Sequence, residues 1–200
     1  MKRTSRLLFM LVAVSLTVVC PMLGQESGQT GPDEMMAAMA KAGEVGSRHE
    51  RLAAMAGTFD VTMKMWMDPT AEPMSMSGVA NRSMMLAGRV MVEKFDSEFM
   101  GQKFEGFGMT GFDNVEGAYW STWCDNMSTS IIVMKGECSE DGANCTFAGM
   151  YKDPATGVES KTRFVSSIVD GGDRELMTSY MTLPDGSEMK NMEFVYTRRK

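Results

Sequence analysis

The sequence predicts an all-β protein: an antiparallel up-and-down β-barrel of about ten strands, preceded by a short N-terminal helical segment. Three observations lead there. From Thr58 onward apolar and polar residues alternate at a period of two, where an amphipathic helix would repeat at three to four. Turn-forming residues interrupt the alternation at short intervals. No stretch after Thr58 has the length or period of a crossover helix, so successive strands must run antiparallel. A sheet of that size hides its edges most simply by closing on itself.

The chain of 200 residues opens with a targeting segment. Lys2, Arg3 and Arg6 form a positive region, and Leu7 to Val19 is apolar but too short for a membrane span, which needs about 20 residues. Pro21 breaks the run, and Gly24 supplies the small residue before a cut, so residues 1–24 read as a signal peptide. A lipid-bearing Cys20 is the rival reading; Val19 stands where such signals carry Gly, Ala or Ser. The mature protein is therefore expected in the periplasm or outside the cell, with no membrane span.

Residues 25–50 read as a tether and helix. Gln25 to Asp33 is rich in Gly, Gln and Pro. Glu34 to Met55 is helical, with Met35, Met36 and Met39, then Leu52 and Met55, at three- and four-residue spacings. Gly43 and Gly46 split it, and Gly57 ends the second piece. Residues 51–200 form the single barrel domain.

The first strand runs from Thr58 to Met67, with Phe59, Val61, Met63, Met65 and Met67 on one face. Further strands are expected at about 74–85, 89–99, 102–112, 117–124, 129–138, 145–151, 158–169, 174–182 and 188–198. Between them stand Asp68-Pro69, Ala87-Gly88, Met100-Gly101, Asp113-Asn114, Asp125-Asn126, Asp153-Pro154, Asp170-Gly171-Gly172-Asp173 and Pro184-Asp185-Gly186. Closure requires the first strand to pair with the last. Export leaves Cys124, Cys138 and Cys145, of which the last two flank a short turn-rich loop and are expected to form a disulfide.

The motifs Gly57-Thr58-Phe59-Asp60-Val61, Trp66-Met67-Asp68-Pro69, Phe99-Met100-Gly101-Gln102, Gly111-Phe112-Asp113-Asn114, Ser121-Thr122-Trp123 and Met127-Ser128-Thr129 occur in that order. From about His49 to Arg199 the chain resembles the bacterial domain-of-unknown-function 1579 family. The resemblance implies a calycin-type barrel, related to lipocalins, fatty-acid-binding proteins and nitrobindins. It implies no reaction. In calycins an aromatic residue of the first strand packs beside a basic residue of the last, and Phe59 with Arg198 or Arg199 matches those positions. The family more often has Trp where Phe59 stands.

Composition and motifs narrow the function. A net charge of −6, or −9 once the three leader cations are removed, disfavours a nucleic-acid partner. Gly106-Phe107-Gly108-Met109-Thr110-Gly111 has the dinucleotide spacing, but an aromatic strand follows it where that motif needs a helix. His49 is the single histidine, and no Gly-x-Ser-x-Gly elbow exists for a hydrolase triad. His49 reads as a cap at the barrel's end. Nitrobindin-type haem binding uses a histidine late in the barrel, and none follows His49, so no cofactor is expected.

The best candidate site is Tyr119, Trp120 and Trp123 with Asp125, Met127 and Ser128, an aromatic strand leading into a polar loop at a barrel mouth. One of Trp120 and Trp123 must point inward. The reading is a non-enzymatic carrier of a small apolar molecule. The first alternative is Cu(I) held by the thioethers of Met63, Met65, Met67, Met74 and Met76. Methionine occurs 24 times against nine leucines, which favours general core filling instead. The second alternative is an enzyme acting within the cavity.

Overall fold

The computed structural model describes residues 31–153 and 156–200. The leader, its cut after Gly24, Cys20 and residues 25–30 of the expected tether lie outside the described residues.

Two helices precede the barrel. The first, α1 (Pro32–Ala42), starts two residues before the expected position. Proline suits a first helical turn because its missing N–H has no helical partner to lose, so Pro32 and Asp33 belong to helix and not to tether. Its Met35, Met36 and Met39 are exposed. Arg89 donates to the Gly43 carbonyl, and Asn114 to those of Ala42 and Glu44, which anchors the end of α1 to barrel turns. The second helix, α2 (Ser47–Ala54), buries His49 and Leu52. It stops at Ala54 with Met55 as its cap, short of Gly57, which at φ 142° opens the first strand instead.

Ten strands follow: β1 (Gly57–Met65), β2 (Met74–Met85), β3 (Val90–Phe99), β4 (Gln102–Asp113) and β5 (Ala118–Asp125), then β6 (Ile132–Cys138), β7 (Asn144–Lys152), β8 (Glu159–Val169), β9 (Arg174–Thr182) and β10 (Glu188–Arg198). Two ends differ from expectation by more than one residue. β1 stops at Met65, because Asp68 binds the Thr70 N–H and hydroxyl and turns the chain, which leaves Met67 75% exposed. β6 begins at Ile132 because Ser128 bonds the Ser130 hydroxyl and N–H, a local alternative to the ladder.

Every strand pairs antiparallel with its sequence neighbours, and β1 pairs with β10, so the barrel is closed. Val61 stands opposite Tyr196 on β10 and Gly78 on β2, which sets the closing register. Turn chemistry supports the hairpins: Phe99 pairs Gln102 across Met100 and Gly101, both at positive φ, as a tight two-residue turn requires.

The core has two parts. Phe59, Val61, Ala80, Phe95 and Tyr196 form one cluster inside the barrel. Leu52 of α2 packs with Met91 and Tyr119 in the other, closing the end where β1 starts and β10 finishes. Leu52 therefore covers Tyr119.

Candidate functional site

The inward face follows from the pairing. On β4 the even-numbered residues Phe104, Gly106, Gly108 and Phe112 oppose Phe95 or Tyr119 and their same-face neighbours, so they face the interior. Gly108 lies opposite Trp123, and a side chain at Gly106 or Gly108 would press on its indole. Gly111 lies opposite Trp120 on the outer face, and a side chain there would overlap that indole. Trp123 thus points inward and Trp120 outward. The glycine spacing that resembles a dinucleotide motif is a bed for two indoles.

The interior is unevenly covered: toward the strand ends away from α2, Ser179 and Thr162 are 0% and 5% exposed, while several large inward side chains are not fully buried. Near α2 Phe59, Tyr119 and Met91 are 2%, 4% and 6% exposed, beside the half-buried rings of Phe112 and Phe147. Toward the opposite end Phe104, Trp123, Met177 and Phe194 are only half-buried although their strands point them inward. Phe95 bridges the zones, its ring 5.9 Å from Phe104 and 6.4 Å from Trp123. At the mouth Met63 faces Met76, and Met65 faces both Met74 and Met192. The wall there is thioether and aromatic, polarisable and deformable.

The floor of the interior is polar. Arg82 is 8% exposed and donates to Glu93 (Nε, 2.5 Å) and Glu175 (Nη1, 2.7 Å). Its guanidinium lies 4.3 Å from the Tyr196 ring centre and 5.0 Å from that of Phe59. Arg198 covers Phe59 from its own side at 4.6 Å and donates to the carbonyls of Ala54, Ala56 and Gly172. Burial alone would push the Arg82 pKa down, but Glu175 and Glu93 outweigh it and drive the pKa up. Tyr196 is held well above the usual phenol value, first by burial and then by the charge of Glu93.

The six candidate residues do not form one group. Trp123, Asp125 and Met127 are joined: Trp123 Nε1 donates to Asp125 Oδ2 at 3.1 Å, and Met127 N to Asp125 Oδ1 at 3.0 Å. Ser128 is in the adjoining loop, bonded to Ser130. Tyr119 lies at the opposite, closed end beside Phe112 and Phe147, and Trp120 is outside the barrel. Of the five methionines, Met63, Met65, Met74 and Met76 share the inner face, while Met67 lies beyond it. Sequence reasoning missed Arg82, Glu93 and Glu175. Parity was the available signal, since Arg82 keeps step with Ala80, and Glu93 with Met91 and Phe95.

Cys138 and Cys145 are disulfide-bonded with Cα atoms 4.0 Å apart, and Cys124 is free. His49 is 3% exposed, accepts the Gly46 N–H at Nδ1 and meets Phe112 edge-on, the geometry of a helix cap. Among the described residues no group of three or more His, Cys, Asp or Glu is placed to hold a metal ion.

The crystal structure of Rv2717c from M. tuberculosis is similar at a TM-score of 0.59 and 12% identity, over 78% of this chain and 100% of that one. At that identity the likeness speaks for the fold alone. No functionally curated protein matches the chain. The model of the family described as "protein of unknown function (DUF1579)" matches residues 44–198, which takes in α2 and all ten strands. The chain belongs to the DUF1579 family.

Proposed function

We propose that the barrel is an exported, non-enzymatic carrier of a small apolar molecule, entered at the end away from α2. The observation that supports this is the partial exposure that large inward side chains keep away from α2. A filled barrel would bury Trp123, Phe104 and Phe194 as fully as Phe59, yet they keep partial exposure. Half-exposed aromatic and thioether surface facing a concave interior is what an apolar ligand covers. Asp125, tied to Trp123 and Met127, gives the mouth a polar rim. Export rests on the leader sequence, and the Cys138–Cys145 disulfide fits an oxidising compartment.

A fluorescent fatty-acid analogue tests the carrier reading. Wild-type protein is expected to bind it, Trp123→Ala to bind about tenfold more weakly while staying folded, and Trp120→Ala to keep its affinity. Absence of binding to the wild type overturns the reading.

A second reading, Cu(I) held by thioethers, is favoured by the opposition of Met63 to Met76 and of Met65 to Met74 and Met192. Titration with Cu(I) against a chelator distinguishes it, because Met65→Leu keeps the apolar wall and removes one sulfur.

A further inference from the structure

A cavity of about 230 Å³ opens at the α2 end between the C-terminal turn of α2, the disulfide loop and the β8–β9 turn. Arg51, Arg82, Arg174 and Arg198 border it, against Asp141 and Glu175. Counting charges decides little, because most of these groups are engaged. Arg82 holds Glu93 and Glu175, Arg198 holds backbone carbonyls, Arg174 pairs with Asp170, and Asp141 accepts from Ser139 and Ala143.

Arg51 feels the charge of Asp141 but makes no hydrogen bond to it through Nη1. Its Nη1 is buried and has no hydrogen-bond partner among the described residues. Its stem is wedged against Gly142, where a Cβ would come within 2.7 Å of Cδ. Gly142 sits at φ 75° inside the loop closed by Cys138 and Cys145, so the loop's covalent tie fixes the seat of Arg51. A buried guanidinium nitrogen without an acceptor is costly, and an oxyanion is its matching partner. The rest of the wall includes Met55 and Ile168, which suit an apolar body.

We propose that this cavity binds a small organic carboxylate, its oxygens on Arg51 and its apolar body against Met55 and Ile168. At about 30 Å³ per water in the liquid, the space suits a molecule of several water volumes, the size of benzoate.

Calorimetric titration of the full chain with benzoate, benzyl alcohol and inorganic phosphate tests this. Benzoate is expected to bind, with benzyl alcohol and phosphate each at least about tenfold weaker. Arg51→Gln is expected to lower benzoate affinity about tenfold, and the control Arg163→Gln to leave it unchanged. Arg51→Lys, which keeps the charge without the planar fork, guards against a folding defect and is expected to fall between wild type and Arg51→Gln. The proposal is overturned if benzoate does not bind, if phosphate or benzyl alcohol matches it, or if either Arg51 variant keeps wild-type affinity.

Discussion

The indole of Trp123 occupies the space that a side chain at Gly106 would need, across the β4–β5 pair. That contact makes the ring part of the barrel wall and aims it at the interior. Gly106→Ala should therefore destabilise the protein by about 1–3 kcal/mol through overpacking. Trp123→Ala should remove that cost, so denaturation of the two single variants and the double variant should show a coupling of at least about 0.5 kcal/mol. Additive effects would mean that the ring does not rest on Gly106.

Arg82 is surrounded by acceptors and rings, and its removal would leave Glu93 and Glu175 buried without a cation. Arg82→Met is expected to cost about 3–5 kcal/mol. Adding Glu93→Gln and Glu175→Gln should restore much of that loss in urea unfolding, since the uncompensated charges go with them. A triple variant no more stable than the single one would contradict this.

The strand plan was legible because it rests on period and turn chemistry. All nine strand junctions carry Gly, Asp, Asn or Pro, and the alternation from Phe59 to Met65 names the buried face directly. The mouth was legible only in part. Trp123, Asp125 and Met127 were found because they are neighbours in sequence, but Tyr119 and Trp120 had to be separated by depth and by face. Depth depends on where α2 sits, and no local pattern encodes that. Arg82, Glu93 and Glu175 come from three strands, so only the register brings them together.

Tyr196 sets a limit at alkaline pH. Its folded pKa is raised above the unfolded value, so its contribution is intact below about pH 10 and is lost as pH rises beyond that. Stability should fall there by up to about 1.4 kcal/mol per pH unit from this one group. Chemical denaturation of Tyr196→Phe should show a shallower alkaline decline than wild type. Equal slopes would place the titration elsewhere.

The disulfide closes a short loop, with a sequence separation of 7. Replacing both cysteines with serine should cost about 2–3 kcal/mol and leave the barrel folded. Far-ultraviolet circular dichroism and the thermal midpoint check this; loss of strand signal at room temperature would make the bridge essential to folding.

The carrier reading meets its most direct test in native mass spectrometry of the protein recovered from the cells that make it. The expected result is a mature chain beginning at Gln25 with added mass from a small organic molecule, released by Trp123→Ala and retained by Trp120→Ala. Added mass equal to copper would favour the thioether reading. Protein recovered at its bare mass, with Trp123→Ala indistinguishable from wild type, would contradict the claim that the open half of the barrel is a ligand site.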